Sequence, residues 1–121
     1  MKKPTKELLE LRKIIDTDKA VSEWFTSIGN KRTISNYRND FPKFLKFVRE
    51  HTSFKTPSEI IEQRRKDLQS KDPKTQRRFE ALGKEFMHHL ESQHLRYNSI
   101  KTYLRTMESL FFTSLFEPQI C

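Results

Sequence analysis

Thr33-Ile34-Ser35-Asn36-Tyr37-Arg38-Asn39-Asp40-Phe41-Pro42-Lys43-Phe44-Leu45-Lys46-Phe47-Val48 is the stretch that decides the fold. Ile34, Tyr37, Phe41, Phe44, Leu45 and Val48 recur at the period of one helix face. Ser35, Asn36, Asn39, Lys43 and Lys46 fall on the opposite face. The spacing predicts a helix from Thr33 to about His51. Pro42 lies inside it and removes one backbone donor. It predicts a kink rather than an end, because the apolar period continues past it.

Outward from this helix the chain reads as four or five helices separated by short polar breaks. On the N-terminal side, Leu8, Leu11 and Ile15 predict a short helix or arm over Thr5 to Ile15. Asp16 or Asp18 then caps a second short helix carrying Val21, Trp24, Phe25 and Ile28, which Gly29-Asn30 stops. On the C-terminal side, Thr56-Pro57-Ser58-Glu59 is a helix start in which Glu59 can close a capping box on Thr56. Asp72-Pro73 opens a fourth helix with Phe79, Leu82, Gly83, Phe86 and Leu90 as its stripe. Gly83 costs helix propensity and so predicts close approach of another helix. A last helix starts near Asn98-Ser99, buries Ile100, Tyr103, Leu104, Met107, Leu110 and Phe111, and ends at Pro118.

Composition narrows the class. Of 121 residues, 34% are hydrophobic and 33% charged, so any core is small, and ten Phe, three Tyr and one Trp must supply much of it. The presence of only two Gly argues against the tight turns of an all-β fold. Cys121 is the single cysteine, so no internal disulfide is possible, and a reducing, cytoplasmic setting is expected. No apolar run approaches the roughly 18 residues of a membrane span. Lys and Arg number 24 against 16 Asp and Glu, a formal charge of +8. That surplus suits a polyanion, since cations that neutralise phosphates release counterions. It also suits a merely solvated surface.

Two predicted helix starts resemble each other. Thr33-Ile34-Ser35-Asn36-Tyr37 and Ser99-Ile100-Lys101-Thr102-Tyr103 each place a capping hydroxyl, then Ile, then Tyr three residues on. A helix start offers unpaired N–H groups and partial positive charge to a phosphate. Asn can pair with adenine, and Lys or Arg with guanine. Caps and core positions account for the same residue types without any ligand.

Three stretches carry a further likeness: Thr33-Ile34 through Tyr37, Asp40-Phe41 and Phe44-Leu45; Leu95-Arg96-Tyr97-Asn98-Ser99-Ile100 through Tyr103-Leu104, Met107 and Leu110-Phe111; and Phe116-Glu117-Pro118. In order and spacing they resemble the N-terminal core-binding domain of tyrosine recombinases, the phage-integrase-like family, over roughly residues 18 to 118. The resemblance implies an all-α, four- to five-helix, SAM-like orthogonal bundle forming half of a clamp on duplex DNA. It implies an arm or short helix over 1–17, the DNA-binding domain over 18–117, and the start of a linker to a catalytic domain over 118–121. Matched by position, Thr33, Ser35, Asn36, Asn98, Ser99 and Thr102 enter the major groove. Asn39, Lys43, Lys46, Lys101 and Arg105 share the outward faces and flank them. Pro42 and Asn98 depart from the family pattern.

The family's chemistry needs two arginines, a lysine, a His-x-x-Arg stretch and a nucleophilic tyrosine, all in a separate domain. His88-His89-Leu90-Glu91 has no Arg three residues after either His, and Tyr37 and Tyr103 lie on apolar stripes. No catalytic residue, cofactor or small-molecule substrate is therefore expected. Double-stranded DNA, with other recombinase subunits upon it, is the expected partner. His88, His89 and His94 lack the convergent spacing of a metal site. Arg64-Arg65-Lys66 and Arg77-Arg78 are either phosphate contacts or solvated faces. A helical protein-interaction adaptor and a helix-turn-helix-like regulator are the alternative readings.

Overall fold

The computed structural model describes residues 5–113. Among the described residues there is no strand, and the helices are α1 (Lys6–Thr17), α2 (Lys19–Ile28), α3 (Lys31–His51), α4 (Pro57–Gln69), α5 (Pro73–Gln76), α6 (Arg78–Ser92) and α7 (Tyr97–Thr113). The all-α class expected from the sequence holds, with seven helices among the described residues rather than four or five. Phe116-Glu117-Pro118 and Cys121 lie outside the described residues. The chain divides into two compact units, Met1–Glu59 and Ile60–Cys121.

In the first unit, caps set the helix boundaries. The Thr5 hydroxyl accepts from the Leu8 N–H at 3.2 Å and starts α1. Asp18, not Asp16, starts α2, its Oδ1 accepting from Ala20 and Val21 N–H at 2.8 and 3.2 Å. The same carboxylate accepts the Ser58 N–H at 3.1 Å and the Ser58 hydroxyl at 2.8 Å, in the first turn of α4. Glu59 closes its capping box one residue earlier than expected: Thr56 Oγ1 accepts the Glu59 N–H at 3.3 Å, and Glu59 Oε2 accepts the Lys55 N–H at 3.2 Å. Gly29 ends α2 at φ 73°, a left-handed conformation that costs glycine nothing, with its N–H on the Phe25 carbonyl at 3.1 Å.

Asn30 is the cap of α3, accepting the Thr33 N–H at 3.0 Å. The helix therefore begins two residues before Thr33 and runs unbroken through the buried Pro42 to His51. Aromatic packing holds this unit together. Trp24 is fully buried, stacked on Tyr37 at 5.5 Å and set edge-on to Phe41 at 5.4 Å. Leu11 and Ile15 of α1 and Phe44, Leu45 and Val48 of α3 complete the core.

In the second unit, Asp72 does cap the segment that Pro73 opens, accepting the Lys74 N–H at 3.3 Å. The single fourth helix expected there is two helices, α5 and α6, divided at Arg77 (φ −99°, ψ 7°). The reason is burial: α5 buries no side chain, so nothing ties it to the apolar stripe of α6. That stripe is Phe79, Leu82, Gly83, Phe86 and Leu90, as expected, whereas Leu68 of α4 stays exposed. Phe79 meets Phe111 edge-on at 5.6 Å, within the α6–α7 packing. A Cβ built on Gly83 lies 3.0 Å from Met107 Cε, so the glycine does admit a neighbouring helix.

Asp18→Ala removes the cap of α2 together with the acceptor for the Ser58 N–H and hydroxyl in the first turn of α4, and should cost about 2 kcal/mol or more in urea unfolding, against about 1 for Thr5→Ala. Gly83→Ala should be neutral or stabilising by up to about 1 kcal/mol. The atom it meets is the free end of a thioether beside an open cleft of about 320 Å³ lined by Met87, Leu104 and Met107. Gly83→Ile should destabilise, because a branched side chain cannot be cleared by moving one methyl.

Candidate nucleic-acid interface

The two helix starts singled out in the sequence belong to α3 in the first unit and α7 in the second. Both begin earlier than their hydroxyls suggested. Asn30 caps α3, and the Arg96 carbonyl accepts the Ile100 N–H at 3.0 Å, so Tyr97 is the first residue of α7. Thr33 and Ser99 are thus not caps: each is the third residue of its helix and half-buried. The Thr33 N–H is already taken by Asn30. The shift is the same in both helices, so the matched register survives: Arg32, Ser35, Asn36 and Asn39 correspond to Asn98, Lys101, Thr102 and Arg105.

Helical residues advance by about 100° each. On α3 that gathers Arg32, Ser35, Asn36, Asn39, Lys43 and Lys46 into one stripe. On α7 it gathers Asn98, Lys101, Thr102 and Arg105. Thr33 and Ser99 lie roughly a quarter-turn away from these stripes. Lys31, Arg32, Ser35, Asn36, Arg38 and Asn39 are the exposed residues of the first turns of α3, and none is acidic. The exposed residues from Arg96 to Arg105 are likewise free of carboxylates.

Ion pairs engage cations in both halves of α3. Arg38 is turned onto Asp16 through two short bonds, Nε to Oδ1 at 2.7 Å and Nη2 to Oδ2 at 2.6 Å. Those bonds and the guanidinium charge hold the Asp16 carboxyl below its usual range. Lys46 lies 3.5 Å from Glu7 and 3.9 Å from Glu50, and Arg49 lies 3.7 Å from Glu10. The acidic start of α1 therefore neutralises the far half of α3, and Lys46 is the weakest of the expected contacts. Burial, and then the charge of Lys46, hold Lys43 below the ordinary lysine range.

On α7 the Thr102 hydroxyl donates to the Asn98 carbonyl at 2.9 Å, which leaves its oxygen as an acceptor rather than a phosphate donor. Lys101 Nζ sits 5.4 Å from the centre of the Tyr97 ring, and that ring is 73% exposed. Arg32, Lys31, Arg96 and Tyr97 were missed by reading the sequence. Asn30 was the signal: asparagine is a better cap than threonine, but it stood beside Gly29 and was absorbed into the stop of α2.

Elsewhere, His88 lies 3.8 Å from Glu91, and His89 shares a contact with Gln93 at 3.3 Å. Among the described residues no three His, Cys, Asp or Glu side chains gather as a metal site needs, and no helix is long and apolar enough to cross a membrane. Comparison with family models, curated proteins and solved structures gives no match.

A pH result follows from the Asp16–Arg38 pair. A depressed folded-state pKa means that the pair stabilises above the unfolded carboxyl pKa and ceases to do so as pH falls through the folded one. Both groups are substantially exposed, so Asp16→Asn should cost only about 0.5 kcal/mol at neutral pH. The gap between variant and wild type should narrow below about pH 4 in thermal melts.

Proposed function

We propose that this chain is a non-catalytic duplex-DNA-binding module that uses the outward faces at the starts of α3 and α7. One observation carries the reading: two helices repeat the same register, each presenting exposed amide, hydroxyl and basic side chains with no carboxylate among them. Caps and core positions explain the inward Ile and Tyr residues. They do not explain why Arg32, Asn36 and Asn39, and again Asn98, Lys101 and Arg105, occupy the outward stripe. Such a stripe suits the major groove, where amides and guanidinium groups read base edges and cations meet phosphates.

The likeness of the α3 and α7 stretches to the core-binding domain of tyrosine recombinases favours a role in DNA integration or recombination within the cytoplasm. Catalysis would then reside in another domain, and other recombinase subunits would share the DNA. Phosphate contacts would dominate affinity, and a second grip on the duplex would raise it by effective concentration.

Fluorescence anisotropy with a roughly 30-base-pair duplex across a salt series tests the reading. Lys101→Gln with Arg105→Gln should make the plot of log affinity against log salt shallower by about 0.9 for each phosphate that is no longer neutralised. Asn36→Ala and Asn98→Ala should each cost about 1–3 kcal/mol on a preferred site, with little change in salt slope. Unchanged affinity and slope in all three variants, with helical circular dichroism intact, would remove both helix starts from the interface.

A further inference from the structure

The stretch from Arg64 to Arg78 holds seven basic residues and two acidic ones, Asp67 and Asp72. Both acids are engaged by the fold. Asp67 is 1% exposed, accepts from Gln63 Nε2 at 2.8 Å and pairs with Arg78 Nε at 3.3 Å. Asp72 caps α5 and accepts the Thr75 hydroxyl at 2.8 Å. Two of the cations are also structural: Arg78 through Asp67, and Arg64, whose guanidinium lies 5.0 Å over the Phe111 ring and donates to the Phe111 carbonyl at 3.3 Å. Burial holds Arg64 below its usual pKa range, as befits a packed rather than a solvated side chain.

Of the other cations, Arg65 is half-buried, whereas Lys66, Lys71, Lys74 and Arg77 are exposed. These four sit on or beside a short loop whose ends are clamped together. The Asp67–Arg78 pair joins the end of α4 to the start of α6. The Ser70 N–H bonds the Asp67 carbonyl at 3.1 Å, the Asp72 N–H bonds the Ser70 hydroxyl at 3.1 Å, and the Gln76 amide bonds the Ser70 carbonyl. Like charges nearer than a Debye length of about 8–10 Å repel one another, and Lys66, Lys71, Lys74 and Arg77 lie within twelve residues of chain, on or beside this clamped connection. A line of phosphates relieves that repulsion and releases counterions.

We propose that the α4–α6 connection is a second phosphate-contacting surface for duplex DNA, separate from the outward face of α7, with Lys66, Lys71, Lys74 and Arg77 as its contacts. The assignment rests on the DNA-binding reading above but on different residues. A lipid surface fits less well: Leu68, at the end of α4, is the one large exposed apolar side chain beside these cations, whereas interfacial anchoring needs a whole apolar face. Ser70, Thr75 and Gln76 bring polar groups beside the cations instead.

The test replaces all four cations by glutamine, leaving Asp67 and Arg78 in place, and compares this variant with wild type and with the Lys101→Gln, Arg105→Gln variant in the same salt series. The loop variant should bind duplex DNA more than tenfold more weakly at low salt, with a slope shallower by about 2 to 3.5, since each neutralised phosphate contributes about 0.9. Should the fourfold variant lose its urea-unfolding transition, Lys71→Glu with Lys74→Glu, both on exposed positions, should weaken binding in the same direction with a slope shallower by about 1.8. A loop variant with the wild-type slope, beside an α7 variant whose slope falls, overturns the second surface and leaves the α7 face standing. A shallower slope in the loop variant alone supports the second surface and removes α7 from the interface. Absence of wild-type binding to any duplex at low salt overturns both, as does loop-dependent binding to phosphatidylserine vesicles without binding to DNA.

Discussion

Asp18 is the point from which the first unit is organised. One carboxylate accepts the N–H groups that open α2 and the N–H and hydroxyl of Ser58 that open α4. A helix start is a concentration of partial positive charge with unmade hydrogen bonds, so an anion serving two starts ties together segments far apart in sequence. The chain needs such devices because its apolar content is low. What hydrophobic matter it has is concentrated in flat rings: Trp24 against Tyr37 and Phe41 in the first unit, Phe79 against Phe111 in the second.

The same economy governs charge. Several acids are committed to caps or to ion pairs, while Glu62, Glu80, Glu85, Glu91 and Glu108 stay exposed on α4, α6 and α7. Asp16 holds Arg38, Asp18 and Asp72 cap helices, Asp67 is buried against Arg78, and Glu7 and Glu10 meet Lys46 and Arg49. The formal +8 is therefore unevenly expressed. The far half of α3 is locally neutralised, while the first turns of α3 and of α7 keep exposed cations without exposed carboxylates among them. In the α4–α6 connection the one exposed acid, Asp72, is occupied as a cap. Local distribution, more than net charge, argues for a polyanion here.

Most of the helical layout was legible in the sequence because apolar periodicity depends on long runs of side chains, and the runs in α3, α6 and α7 are long. The boundaries were harder to read, for a specific reason. Asn30 follows a glycine that ends one helix and itself begins the next, so one short segment carries two signals and only the stop was read. The division between α5 and α6 was invisible because Pro73–Gln76 is compatible with helix on propensity; only the lack of anything for it to bury separates it from α6. At the candidate site the register of the two repeated stretches was legible, because both misread starts were displaced equally. The withdrawal of Arg38, Arg64, Arg78 and Lys46 into pairs was not, since Asp16, Phe111, Asp67 and Glu7 lie on other helices; only the i,i+4 contact of Lys46 with Glu50 follows from spacing.

The central claim is that the outward faces of α3 and α7 meet duplex DNA. Its most direct test is a ¹H–¹⁵N correlation titration of the labelled protein with a duplex at low salt. The account predicts that the amide shifts that move cluster at residues 31–39 and 97–105, with Trp24 and the other core positions little changed. Shifts confined to the cleft beside Met87, Leu104 and Met107, or a spectrum indifferent to DNA, would contradict it.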